Sequence, residues 1–112
     1  MASSEVWDVV KVPFLQQYRP ALVVAQHRAP GSPALLWVLM ITSASHRRWH
    51  GDVEISDLFT AGLPVPSIVR TAKIAIIEGH DAGTIGSLPK ADRPAVRGQI
   101  AGLLTAVLGL TS

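Results

Sequence analysis

Two arginines, a lysine, a Thr-Ser pair and a short basic loop carry most of the chemistry this chain offers. Arg19 stands directly before Pro20. A following proline keeps a residue out of the helical region, so Arg19 sits on stiff, extended backbone. Its guanidinium is always charged and presents a fork of donors that suits a phosphate or a carboxylate. Thr42 and Ser43 lie where a strongly apolar run, residues 34–41, meets polar sequence. A hydroxyl there can donate to a phosphate oxygen, or it can bond its own backbone in an ST-turn. Arg47, Arg48 and Trp49 set two cations beside a ring. Single-stranded nucleic acid is held in that way, by charge on its phosphates and stacking on its bases. The same loop also reads as a solvated basic segment, with Trp49 covering the core. Arg70 and Lys73 lie at the edges of two apolar runs and join Arg19 in a cationic cluster only if the strands bring them together.

Other chemistries find less support. His46 and His50 are four apart, a spacing that faces one metal from a helix. Gly51 follows at once, however, and no third ligand stands nearby, so the pair belongs with the solvated loop and no metal or cofactor is expected. The chain has no cysteine, which removes thiol chemistry and Cys-based zinc sites and fits a reducing compartment. The GxSxG, HExxH and Walker patterns are absent, and no histidine is paired with a carboxylate at a telling spacing.

Positioning these residues requires short strands and a closing helix. Residues 6–12 read as a first strand ended by Pro13, and residues 22–25 as a buried strand starting at Pro20. Residues 34–41 lack alternation, which fits a central strand buried on both faces, although a helix has the same signature. Residues 52–55 alternate and so have one wet face. Ser56 is the expected N-cap of a single turn stopped by Gly62. Residues 68–71 and 73–77 give one or two further strands, and 84–88 a last short one. Val96, Ile100, Leu103, Val107 and Leu110 repeat at helical spacing behind a capping Asp92, with Pro94 in the first turn. A neighbouring face of that helix carries Gly98, Ala101, Gly102, Thr105, Ala106 and Gly109, small enough to admit a second copy of the chain. The expected architecture is mainly β: an antiparallel barrel of five to seven strands with a C-terminal helix.

The 112 residues suffice for one domain, 1–112, and one core. Apolar residues make up 48% and charged ones 16%, which is globular composition. No basic leader with a long apolar stretch opens the sequence, and no apolar run is long enough to cross a bilayer. A cytoplasmic protein without a membrane role is expected. A net charge of +2 is compatible with a polyanion partner without demanding one.

In their order, these segments resemble the PemK/MazF family of toxin ribonucleases. Trp7-Asp8-Val9-Val10-Lys11-Val12-Pro13-Phe14 is similar to the family's first strand, and Arg19-Pro20-Ala21-Leu22-Val23-Val24 to its second. Ile41-Thr42-Ser43, Gly51-Asp52-Val53-Glu54-Ile55, the stretch from Ser67 to Ile74 and Ile85-Gly86-Ser87-Leu88-Pro89 match in turn. The resemblance implies an SH3-like barrel, a homodimer, and an antitoxin that blocks the site. It implies metal-independent cleavage of single-stranded RNA, in which the 2′-hydroxyl attacks the adjacent phosphorus and leaves a cyclic phosphate. Carried over, Arg19 is the main catalytic cation, Thr42 the hydroxyl at the scissile phosphate and Arg70 an acid or transition-state clamp. Ser43, Arg47, Arg48, Trp49 and Lys73 are expected to contact RNA. Arginine is a poor general base, because its pKa exceeds about 12, so the base is not identified.

Two departures stand out. Only residues 15–18 separate the first strand from Arg19, where the family has a longer polar loop. Ala72 replaces an acidic residue, and Lys73 stands where glutamine is common. The alternatives carried with this reading are a non-catalytic toxin of the same fold that poisons a protein such as a DNA topoisomerase, and a dimeric scaffold.

Overall fold

The apolar run that lacks alternation is a strand, β3 (Leu35–Ser43), and it lies in the middle of a sheet. The computed structural model of the chain describes residues 4–109. Six antiparallel strands curl into a half-barrel: β1 (Asp8–Phe14), β2 (Gln17–His27), β3, β4 (Val53–Glu54), β5 (Ser67–Glu78) and β6 (Gly83–Ser87), in the order β4-β5-β3-β2-β1-β6. A short helix, α1 (Leu58–Ala61), follows β4, and the long helix α2 (Arg93–Leu108) closes the chain. The expected small antiparallel barrel with a C-terminal helix is this fold.

Both faces of the curled sheet are apolar, and this is why its central strands do not alternate. Val9, Leu22, Leu39, Ile41 and Val69 face one side, where Ile55, Ala61, Leu88 and Val96 cover them. Val10, Val12, Val23, Leu36, Val38 and Met40 face the other. Full burial of each such side chain contributes about 1.5–3 kcal/mol, so the sheet is held from two sides.

Several local expectations change. The first strand runs to Phe14 and includes Pro13, because β6 pairs with β1 only as far as Lys11 and leaves that end an edge. The link from β1 to β2 is a two-residue turn, Leu15-Gln16, with Phe14 paired to Gln17. Both turn residues have positive φ, 49° and 65°, as a type I′ hairpin turn requires. Asp57, not Ser56, caps α1: its carboxylate accepts from the Thr60 amide at 3.2 Å and from the Thr60 hydroxyl at 2.6 Å. Asp92 does stand at the N-cap of α2 but makes no cap bond. Its carboxylate instead accepts from the Ser56 amide and hydroxyl at 2.9 and 3.0 Å, tying the α1 segment to the start of α2. Of the predicted helix face, Val96 is buried, Ile100 and Leu103 are half-buried and Val107 is exposed; Leu110 lies outside the described residues.

One close approach fixes the wall of the site. A Cβ on Gly62 would lie 2.0 Å from the Ile85 carbonyl oxygen, and one on Gly86 would lie 2.3 Å from the Ala61 carbonyl carbon. The end of α1 therefore packs backbone-to-backbone on β6, which only glycine allows at both positions.

Candidate active site

β2 and β3 stop pairing just where the candidate residues stand. Ala21 pairs with Met40, and continuing that register by two residues brings Arg19 opposite Thr42. Beyond this point the strands part, and a groove of about 660 Å³ opens between them. Arg19, Thr42, Ser43 and Lys11 line its polar part; Pro20, Ile41, Leu63, Pro64 and Val65 line its apolar part. A second groove of about 290 Å³ shares Arg19, Ile41, Thr42 and His46 with the first and adds Arg70, Lys73, Phe14 and Leu15.

A bulge in β5 brings in the last two cations. Leu39 pairs with Ile74 and Ile41 with Val69, so Met40 alone stands opposite Arg70, Thr71, Ala72 and Lys73. Bulges re-aim side chains beside functional sites, and here both Arg70 and Lys73 reach the smaller groove.

The cations are not equivalent. Arg19 makes no ion pair among the described residues, and its Nε is buried without a hydrogen-bond partner. A buried donor left unpaired costs about 1–3 kcal/mol, so such a group needs an explanation. No Asp or Glu lines either groove. Arg70, by contrast, lines the smaller groove with its guanidinium already partnered. Its Nε and Nη2 donate to Asp52 at 3.3 and 3.1 Å, Nη2 donates to the Arg47 carbonyl at 2.7 Å, and its guanidinium lies 4.1 Å from the Trp49 ring centroid. Lys73 sits over the Phe14 ring at 5.0 Å.

The basic loop is anchored rather than aimed at the grooves. Arg48 pairs with Glu54 at 2.7 Å, and Trp49 stacks on Arg70 while its amide donates to Asp52 at 2.8 Å. Arg47, Arg48 and Trp49 line neither groove. Ser43 lines the larger one, and its hydroxyl meets the Ser45 amide and hydroxyl at 3.2 and 2.8 Å, the ST-turn geometry its sequence allowed.

Two groove residues escaped the sequence reading. Lys11 pairs in register with Pro20, next to Arg19; the signal was a lone cation in an otherwise apolar strand. His46 is the more telling. Its amide donates to the Ser43 carbonyl at 3.1 Å, which turns the chain back, and its Nδ1 lies 2.6 Å from Thr42 Oγ1. Weighed with His50 as a metal pair, it was compared with the wrong neighbour. Among the described residues the one trio able to hold a metal is Glu78, His80 and Asp81, exposed and outside both grooves. No helix among the described residues is long and apolar enough to cross a membrane.

Comparisons with known proteins bear on the family and the fold. A family model described as the PemK-like, MazF-like toxin of type II toxin–antitoxin systems matches residues 5–104. The fold is similar to that of MazF in a MazE–MazF structure from Deinococcus radiodurans, at 20% identity, a TM-score of 0.70, and 93% and 97% coverage of this chain and that one. It is also similar to a mycobacterial endoribonuclease solved with its cognate antitoxin, at 17% identity, a TM-score of 0.71, and 98% and 99% coverage. The Mycobacterium tuberculosis toxin MazF-mt6 shares 26% identity over 84% of this chain and 93% of its own, with a TM-score of 0.64. No curated protein matches the chain in sequence.

Proposed function

The chain belongs to the PemK-like, MazF-like toxins of type II toxin–antitoxin systems, and from that premise we propose that it is a metal-independent endoribonuclease acting on single-stranded RNA in the cytoplasm. The observation that carries this reading is the Arg19 guanidinium, unpaired at a groove without acidic residues, in register with the Thr42 hydroxyl. A phosphodiester supplies the anion that Arg19 lacks. Thr42 donates to a second phosphate oxygen, Lys11 and Lys73 add charge from the two grooves, and the apolar wall at Leu63, Pro64 and Val65 takes a base. The 2′-oxygen attacks the adjacent phosphorus and the product is a cyclic phosphate. Charge building on the phosphorane oxygens is met by fixed donors, worth about 10²–10³ in rate for one well-placed group. Arg70 acts by holding the loop that carries Arg47, Arg48 and Trp49, which would meet RNA outside the grooves.

The partners follow the family. Structures of relatives hold MazF with MazE, or an endoribonuclease with its cognate antitoxin, and the same groove here would take an antitoxin peptide. A homodimer is supported by α2: Leu104, Val107 and Leu108 are exposed, and nothing lies within 4 Å of a Cβ placed on Gly98 or Gly102. The short Leu15-Gln16 turn favours a second reading, a toxin of this fold that binds a protein target such as a DNA topoisomerase without catalysis, because the longer loop that grips RNA in the family is missing.

The test is cleavage of a long synthetic RNA by purified protein in EDTA, with the 3′ ends analysed for cyclic phosphate. Wild-type protein should cut, and Arg19→Ala should lose at least about 10²-fold in rate while keeping the wild-type circular dichroism spectrum. Full activity in that variant overturns the site, and an RNA left intact by wild type favours the protein-poison reading.

A further inference from the structure

We propose that His46 is the base that takes the proton from the attacking 2′-hydroxyl. The inference rests on the endoribonuclease reading and supplies what that reading lacks. Neither groove contains a carboxylate, and His46, which lines both, is the one lining side chain whose type exchanges a proton readily between about pH 5 and 8. The charged groups facing it are Lys11 from β1, Arg19 from β2, and Arg70 and Lys73 from β5, all cations.

The 2.6 Å contact between His46 Nδ1 and Thr42 Oγ1 fits either tautomer of the ring, and the proposed role uses the one protonated on Nδ1. With Nδ1–H donating to Thr42 Oγ1, the basic lone pair is on Nε2. The Thr42 hydroxyl then accepts from the imidazole and keeps its own hydrogen for a phosphate oxygen. In that tautomer a single contact leaves Nε2 free as the base and aims the hydroxyl, and the turn closed by the His46 amide on the Ser43 carbonyl holds the two residues together. In the reaction, the bond from the 2′-oxygen to phosphorus forms as the 2′ proton passes to Nε2. The bond from phosphorus to the 5′-oxygen breaks, and the electron pair leaves on that oxygen, which takes a proton from water. The imidazolium returns its proton to the hydroxide so formed. The net change is a phosphodiester converted to a cyclic phosphate and a free 5′-hydroxyl, with no metal or co-reactant.

The experiment is the pH dependence of single-turnover cleavage of a long synthetic RNA from pH 5 to 9, for wild type and His46→Gln. Glutamine retains polarity beside Thr42 but cannot accept a proton. Wild type should show a rate rising with unit slope from low pH to a plateau, and H46Q should lose about 10²–10³-fold together with that rising limb. Binding of an all-DNA strand of the same sequence, which lacks the 2′-hydroxyl, should change less than about twofold and reports that the groove is intact. An H46Q variant that is slower but keeps the rising limb makes His46 a positioning residue and overturns the proposal, as does an unchanged rate. Wild-type protein that cuts no RNA overturns the endoribonuclease reading itself, and this inference with it.

Discussion

Removing the carboxylate of Asp52 should unfasten the loop beside the grooves, at a cost that can be worked from its contacts. The Asp52 side chain is 3% exposed and that of Arg70 9%. The carboxylate accepts from Arg70 Nε and Nη2 and from the Trp49 amide. In Asp52→Ala the guanidinium stays buried with only the Arg47 carbonyl and the Trp49 ring to meet it. Breaking one side of a buried pair costs about 3–5 kcal/mol, because the other charge is left uncompensated. With a urea m-value of about 1.5 kcal/mol/M, a loss of about 4 kcal/mol lowers the unfolding midpoint by about 2.7 M. The measurement is urea denaturation at one fixed protein concentration, since self-association would shift apparent stability. Replacing both partners, Asp52→Ala with Arg70→Met, should recover much of the loss, because no buried charge is left. The double-mutant cycle then gives a coupling energy of at least about 1–2 kcal/mol. A D52A midpoint within about 0.3 M of wild type, or losses that simply add, would refute the buried-pair account.

Arg19→Met should leave the urea midpoint unchanged or raise it, since it removes a guanidinium whose Nε is buried without a partner. A fall of more than about 0.7 M would mean that Arg19 holds the fold together. Gly86→Ala places a methyl 2.3 Å from the Ala61 carbonyl carbon and should cost more than about 2 kcal/mol by forcing α1 off β6; a midpoint shift below about 0.5 M would contradict that contact. Leu15→Asn with Gln16→Gly should stabilise the hairpin by about 1–2 kcal/mol, because both positions have positive φ. An unchanged midpoint would argue against the type I′ turn. The Asp57 carboxyl is held below its ordinary value of 3.8 by the Thr60 hydroxyl and then the Thr60 amide. A lowered folded-state value stabilises above the unfolded one and is lost as pH falls through the folded one. The stability difference between wild type and Asp57→Asn should therefore be constant near neutrality and shrink below about pH 4, and a difference independent of pH would remove the cap.

The strands were legible because burial on both faces leaves a plain mark. The runs at 22–25 and 34–41 lack alternation, and both became strands inside the sheet. Register was not legible. It turns on irregularities at Val24, at the β5 bulge and beside Ile85, and nothing in these residue types announces an extra residue. The two-residue turn was hidden for a related reason: Leu-Gln lacks the Asn and Gly that mark positive φ. The N-cap of α1 differs by one position, since Ser56 and Asp57 are both good capping residues. Pairing Ser56 with Asp92, 36 residues away, decided between them.

The candidate site was legible as residue types, and the grouping of those residues depended on the places where register fails. Arg19 opposite Thr42 follows from a β2–β3 pairing that the Val24 irregularity shifts, so no count of residues from either strand would have found it. Arg70 looked like a free cation because its partner Asp52 is set opposite it only by continuing the Val53–Val69 pairing of β4 with β5 by one residue, a register that nothing in the residue types announces. His46 was visible as a residue type, but its role depends on a chain reversal that returns it to Thr42. What sets the grooves apart is the placement of acids rather than their number. Asp52 and Glu54 pair with Arg70 and Arg48, Glu78 and Asp81 lie beside the His80 ring at 3.3 and 3.4 Å, and Asp57 and Asp92 bond Thr60 and Ser56. Each of these carboxylates is held away from Arg19, Lys11 and Lys73. Keeping the acids out of the grooves leaves the splayed end of the sheet positive in a chain whose net charge is only +2, and a polyanion meets that local field, not the net charge.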